Sequence, residues 1–123
     1  MSTGATVKIK NSDGILHNVH TLSKANTPFN RAQPKFLKEL SETFAKPEII
    51  PVRCDVHGWM SGWILVTDNV FHDVSQADGG FKLVDVPAGK YTLDAWHEEL
   101  GAATQQVEIK AGETLNIEFQ LKK

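Results

Sequence analysis

Period-two alternation runs through this chain and limits what it can fold into. Tyr91, Leu93, Ala95 and His97 fall on one face of an extended segment, and Leu115, Ile117, Phe119 and Leu121 repeat the pattern near the end. Ala5, Val7 and Ile9 do the same at the start, followed by Ile15, His17 and Val19, and later by Ile50, Val52 and Cys54. A spacing of two places alternate side chains on opposite faces of a strand, so one face of each segment is apolar. The segments are separated by turn chemistry: Asn11-Ser-Asp-Gly14, Gln76-Ala-Asp-Gly-Gly80, Pro87-Ala-Gly89 and Ala111-Gly112. Short strands punctuated this way read as an all-β sandwich.

Three stretches need separate treatment. Residues 23–35 carry Asn26, Pro28, Asn30 and Pro34, and read as loop. Between Phe36 and Phe44 the apolar residues suit either a short helix or a strand, and a strand from about Leu40 to Ala45 is expected. Gly62–Thr67 reads as an apolar strand, and Phe81 and Leu83 as the inward residues of another. No tandem repeat or low-complexity segment interrupts the chain.

Composition excludes several roles. With 13 basic and 15 acidic residues the net charge is −2, which gives no reason to expect nucleic acid or an anionic membrane as partner. No apolar run approaches the length of a membrane span. The one cysteine excludes an internal disulfide. No signal peptide precedes the first strand-like segment, so an exported protein would be present here in trimmed form.

That single cysteine begins Cys54-Asp55-Val56-His57-Gly58-Trp59-Met60, while His17 stands in Leu16-His17-Asn18-Val19-His20. One thiolate, two imidazoles and a weakly held thioether form the ligand set of a blue-copper electron-transfer site. Alternation points Cys54 inward at a strand end, and a tight loop can bring His57 and Met60 around the same point. Gly58 is expected to let that loop bend where a side chain would obstruct it. His17 arrives from a different strand. Ligands drawn from separate strands are held by the sandwich itself, which limits reorganisation when a metal changes charge.

Cys54-x2-His57-x2-Met60 with His17-Asn18-Val19-His20 upstream resembles the cupredoxins of the plastocyanin and amicyanin type, over roughly residues 5–67. The resemblance implies a Greek-key β-sandwich with one copper ion per chain, cycling between +1 and +2. It implies His17, Cys54, His57 and Met60 as ligands, and Asn18 as a brace near the cysteine loop. It also implies a redox partner protein and a periplasmic or other extracytoplasmic location. Residues 73–121, with Asp78-Gly79-Gly80-Phe81 and Pro87-Ala88-Gly89-Lys90-Tyr91, resemble the carboxypeptidase regulatory-like (transthyretin-like) β-module. The expected division is a copper-binding half, 1–67, and a second β half, 68–123. The first half looks too small and open-edged to stand alone, so the transthyretin-like strands are expected to extend or merge with it in one sandwich.

Other readings compete. A lone inward Cys is most often a small buried hydrophobe, and a lone His is most often structural. Cys and two His could also hold zinc, with water or a carboxylate as fourth donor. An enzyme with an open copper position would need His97 or water at the metal, and no acid–base pair for catalysis is evident. A pure binding module would leave the cluster without a metal. His20 should face away from His17, toward solvent, His97 is expected to be a hydrogen-bonded core or strand-end histidine, and His72 to be exposed. Trp59 and Trp63 suit either core packing or a shield and docking patch beside the metal.

Overall fold

A computed structural model describes residues 1–122. The molecule is all-β: eight strands and no helix occur among the described residues, so no helix is long and apolar enough to cross a membrane. The chain divides into two compact units, Met1–His72 and a second beginning at Asp73.

In the first unit, β1 (Thr6–Lys10) pairs antiparallel with β4 (Glu39–Thr43). A second sheet has the order β3-β2-β5-β6, from Asn30–Gln33, His17–Thr21, Glu48–Arg53 and Ser61–Val66. The apolar residues of the two sheets meet. Val7 of the first sheet and Phe44 at its edge pack with Ile50, Val52, Ile64 and Val66 of the second. Ile50 has no solvent exposure, and burying such a side chain contributes about 1.5–3 kcal/mol. The Phe29 and Phe44 rings stack with centroids 6.2 Å apart. This sheet-on-sheet core is the β-sandwich expected from the alternation.

Strand β3 lies inside the stretch 23–35 read as loop. Its sequence, Asn-Arg-Ala-Gln, has no apolar alternation, and only Gln33 is buried. The strand forms because β2 offers a pairing edge, with His17 opposite Gln33 and His20 opposite Asn30. Gln33 then donates from Nε2 to the carbonyl of Ile9, 3.0 Å away. Ile15 falls outside β2 and is half exposed, so the inward set of that strand is His17, Val19 and Thr21. Phe36 is also exposed, and Leu40 and Phe44 alone carry the apolar face of the β4 segment.

The second unit contains β7 (Gly89–His97) and β8 (Gly101–Ile109), an antiparallel hairpin in unbroken register from Gly89↔Ile109 to His97↔Gly101. Its turn reaches φ +82° at Gly101, a conformation that favours glycine. Residues Phe81–Leu83 and Leu115–Leu121 are not strands. Their alternation survives as burial, since Ile117, Phe119 and Leu121 are half-buried between exposed neighbours. The Phe81 and Phe119 rings lie 6.4 Å apart, and Gln105 Nε2 donates to the Glu118 carbonyl at 2.6 Å. Alternation determines which side chains turn inward, but a strand also needs a hydrogen-bonded neighbour, which these segments lack among the described residues.

Candidate metal centre

The site grows out of the β2–β5 pairing. The register sets His20 opposite Arg53 and Thr21 opposite Val52. Continued by one step it sets Val19 beside Cys54, with His17 just beyond. His17, Val19 and Cys54 are all buried on the inner face. Past Cys54 the chain turns back on itself: the Cys54 amide donates to the Met60 carbonyl at 3.0 Å, and the Met60 amide to the His57 carbonyl at 2.9 Å. The second bond is the i→i+3 closure of a β-turn, and it carries His57 back over Cys54.

Three predicted residues therefore converge. His17, Cys54 and His57 each place a donor atom within 4.8 Å of the other two. The sulfur of Cys54 lies 3.8 Å from His57 Nδ1, and the imidazole centroids are 4.9 Å apart. Met60 closes the loop and lines the same cavity as His17 and Cys54.

The orientation of His17 is fixed from behind. Its Nε2–H donates to both carboxylate oxygens of Asp13, at 2.7 and 2.8 Å. Nδ1 is buried without a hydrogen-bond partner. A buried polar atom left unpaired is costly, and here it is the one nitrogen of His17 that can still donate a lone pair. Asp13 is itself held in its turn by the Ile15 amide at 3.3 Å. Its bond to His17 lowers the Asp13 pKa, while Asp13 first and Cys54 second raise that of His17. Burial pushes the Cys54 thiol up, but the backbone amides of Asn18 and His57 and both imidazoles outweigh it, bringing the thiol from 9.0 down to about 6. Thiolate is thus accessible near neutrality, as a soft-metal ligand requires.

Asn18 braces the loop. Its Oδ1 accepts from the amides of Asp55 at 2.6 Å and Val56 at 3.2 Å. Its Nδ2 donates to Asn30 Oδ1 at 2.7 Å and Asp55 Oδ2 at 3.0 Å. Asp55 also receives His20 Nδ1 and Arg53 Nε, each at 3.0 Å. His20 does point away from His17, but toward Asp55 and not simply into solvent.

Other expectations change at this site. Gly58 has no left-handed φ, and a Cβ built on it would meet nothing within 4 Å, so the turn does not require glycine there. Trp59 is 81% exposed, which removes it from the core, and its ring lies 5.2 Å from that of His57. His97 ends β7, where its Nδ1 accepts the amides of Glu99 and Leu100. His72 is exposed, with Nε2 3.5 Å from the Ser2 hydroxyl. Asp13 and Asp55 were not singled out from sequence. Asp13 sits four residues before His17 inside Asn-Ser-Asp-Gly, where it reads as turn chemistry, and that spacing is the signal it offered.

Residues 71–117 match the family model described as polysaccharide lyase family 4, domain II. That match corrects two resemblances. The second half is similar to the lyase domain and not to a carboxypeptidase regulatory-like module, and no family match supports a cupredoxin. No curated protein and no solved structure matches the chain. The matched stretch is under half of the sequence and contains neither His17 nor Cys54, His57 or Met60.

Proposed function

We propose that the first unit binds one copper ion through His17, Cys54, His57 and Met60, and that the protein acts as an electron carrier. The supporting observation is His17 itself: Nε2 is locked to Asp13 and Nδ1 is buried and unpartnered, in a residue that offers a donor atom within 4.8 Å of those of Cys54 and His57. A histidine whose outer nitrogen is held by a carboxylate and whose inner nitrogen is free is oriented as a metal ligand. Thiolate, two imidazoles and a nearby thioether form a donor set suited to copper. Bound there, copper would supply a one-electron reservoir.

The chain's own residues would do the rest. The backbone N–H groups of Asn18 and His57 lower the Cys54 pKa, so thiolate would be available before any metal arrives. The turn between His57 and Met60 and the β2–β5 pairing place donors on a hydrogen-bonded frame. Such a frame limits movement when charge changes. An exposed Trp59 ring beside His57 supports an approach of a redox partner from that side.

Copper titrated into the metal-free protein should bind at one equivalent and give an intense visible thiolate-to-copper band, with a narrow copper hyperfine splitting in EPR. Cys54→Ser should abolish the band. A fully copper-loaded, oxidised sample without colour would overturn the proposal. Stoichiometric zinc binding in that case would favour a non-redox site, because Cys54, His17 and His57 also suit zinc.

A further inference from the structure

The two sheets of the first unit are unequal, four strands against two. Among the described residues β1 pairs with β4 alone, in unbroken register from Thr6↔Thr43 to Lys10↔Glu39. A cavity of about 640 Å³ lies between β1 and the larger sheet, with Val7 and Ile9 on one wall and Val52 and Ile64 on another. No residue of β4 lines it, so it opens on the side of β1 away from β4. Its volume falls within the roughly 300–1,000 Å³ of binding sites, room for several aliphatic side chains. A third strand of the smaller sheet would send its inward residues there.

The backbone of β1 suits such a strand. The Asn11 amide donates to the Lys38 carbonyl at 2.9 Å, which makes those two a hydrogen-bonded pair one step past the strand. Antiparallel pairs alternate between bonded and non-bonded. Ile9 and Val7 therefore bond to β4, while the N–H and C=O groups of Lys10, Lys8 and Thr6 point to the opposite edge. With no proline or bulge between Thr6 and Lys10, that edge is a template for another strand. Side chains divide by face: Val7 and Ile9 turn to the cavity, and Lys8 and Lys10 stand exposed on the outer face. On that outer face Lys10 has Glu39 opposite it on β4, whereas Lys8 has Ser41. A second copy of β1 would set lysines against one another, and like charges directly opposite are destabilising. An acidic residue on the free side of Lys8 would give it the kind of neighbour that Glu39 gives Lys10.

We propose that the free edge of β1 takes up an extended peptide as an added strand, with alternate apolar residues in the cavity beside Val7 and Ile9 and an acidic residue opposite Lys8. No metal is needed for this, so the full metal-free chain serves for the test and the copper reading is untouched by its outcome. The probes are two capped hexapeptides that alternate valine with polar residues, one with glutamate at a central polar position and the other with lysine there. The glutamate peptide should bind saturably and slow amide exchange at Lys8 and Lys10 far more than at Val7 and Ile9, whose amides already bond to β4. The lysine peptide should bind about fivefold more weakly at low salt. Lys8→Glu, a change on an exposed face, should leave the melting temperature unchanged and reverse that preference. Absence of saturable binding, or exchange slowed elsewhere than on β1, would overturn the proposal. Equal affinity for the two peptides would overturn the acidic assignment. A peptide-free protein that sediments as a dimer, with the Lys8 and Lys10 amides already protected, would show that a second copy occupies the edge and would overturn the peptide proposal as well.

Discussion

Asp13 illustrates how much of the proposed site is decided by a residue that would not itself touch the metal. Both of its oxygens lie on His17 Nε2, which selects the tautomer and leaves Nδ1 for coordination. Asp13→Ala should weaken copper binding by about 10- to 100-fold, the usual effect of losing a carboxylate behind a ligating histidine. Asp13→Asn keeps an acceptor for the Nε2–H but removes the charge. It should retain most of the affinity while raising the reduction potential, because a less basic imidazole stabilises the oxidised metal less. Competition titration and potentiometry separate the two effects. Similar losses in both variants, with no change of potential, would show that Asp13 acts only through packing. Gly58 carries the opposite expectation. With no left-handed φ and no neighbour within 4 Å of an added Cβ, Gly58→Ala should maintain stability or raise it by at most about 1 kcal/mol, as read by thermal melting.

At the scale of elements, the loop after β5 depends on β2. Asn18 supplies the acceptor for two consecutive loop amides, so Asn18→Ala leaves both without a partner. A loss of about 0.5–1.5 kcal/mol is expected, because both bonds are exposed and water partly replaces the lost acceptor, together with faster amide exchange at Asp55 and Val56. A variant with unchanged exchange there would show that the loop holds itself. The same pairing explains what could be read from sequence. Cys54, His17 and His57 were legible because alternation fixes the face of a strand residue and a short spacing fixes the reach of a loop. Strand β3 was not legible, since Asn30 to Gln33 follow no apolar pattern and are recruited by the edge of β2. Leu115–Leu121 shows the converse, a clear pattern whose strand did not form because pairing is a property of neighbours. Asp13 was hidden by its place in a turn, where Asp is expected for local reasons.

For the molecule as a whole, the response to acid follows from three carboxylates in the first unit. Hydrogen bonding to His17 lowers the Asp13 pKa. Burial raises that of Asp55, but Asn18, His20 and Arg53 outweigh it and the net shift is downward. Glu48 falls from 4.5 to about 2, first through the Lys24 amide and then through Asn26, despite partial desolvation. Its Oε2 accepts from Lys24 N at 2.6 Å, and its Oε1 from the backbone and side-chain nitrogens of Asn26, each at 3.0 Å. A carboxyl depressed in the folded state contributes stability that is present above its unfolded value and lost as pH falls through its folded one. The Glu48 contribution is therefore complete above about pH 4.5 and disappears toward pH 2. His17, whose pKa is raised above 6.5, is protonated in both folded and unfolded chains across that window and adds no slope. The metal-free protein should lose melting temperature steadily from pH 4.5 to 2. Glu48→Gln should start lower at neutral pH and fall less steeply, because the group whose protonation drives part of the slope is gone. Equal slopes in the two proteins would mean that the segment from Lys24 to Asn26 is not anchored by the Glu48 carboxylate in solution.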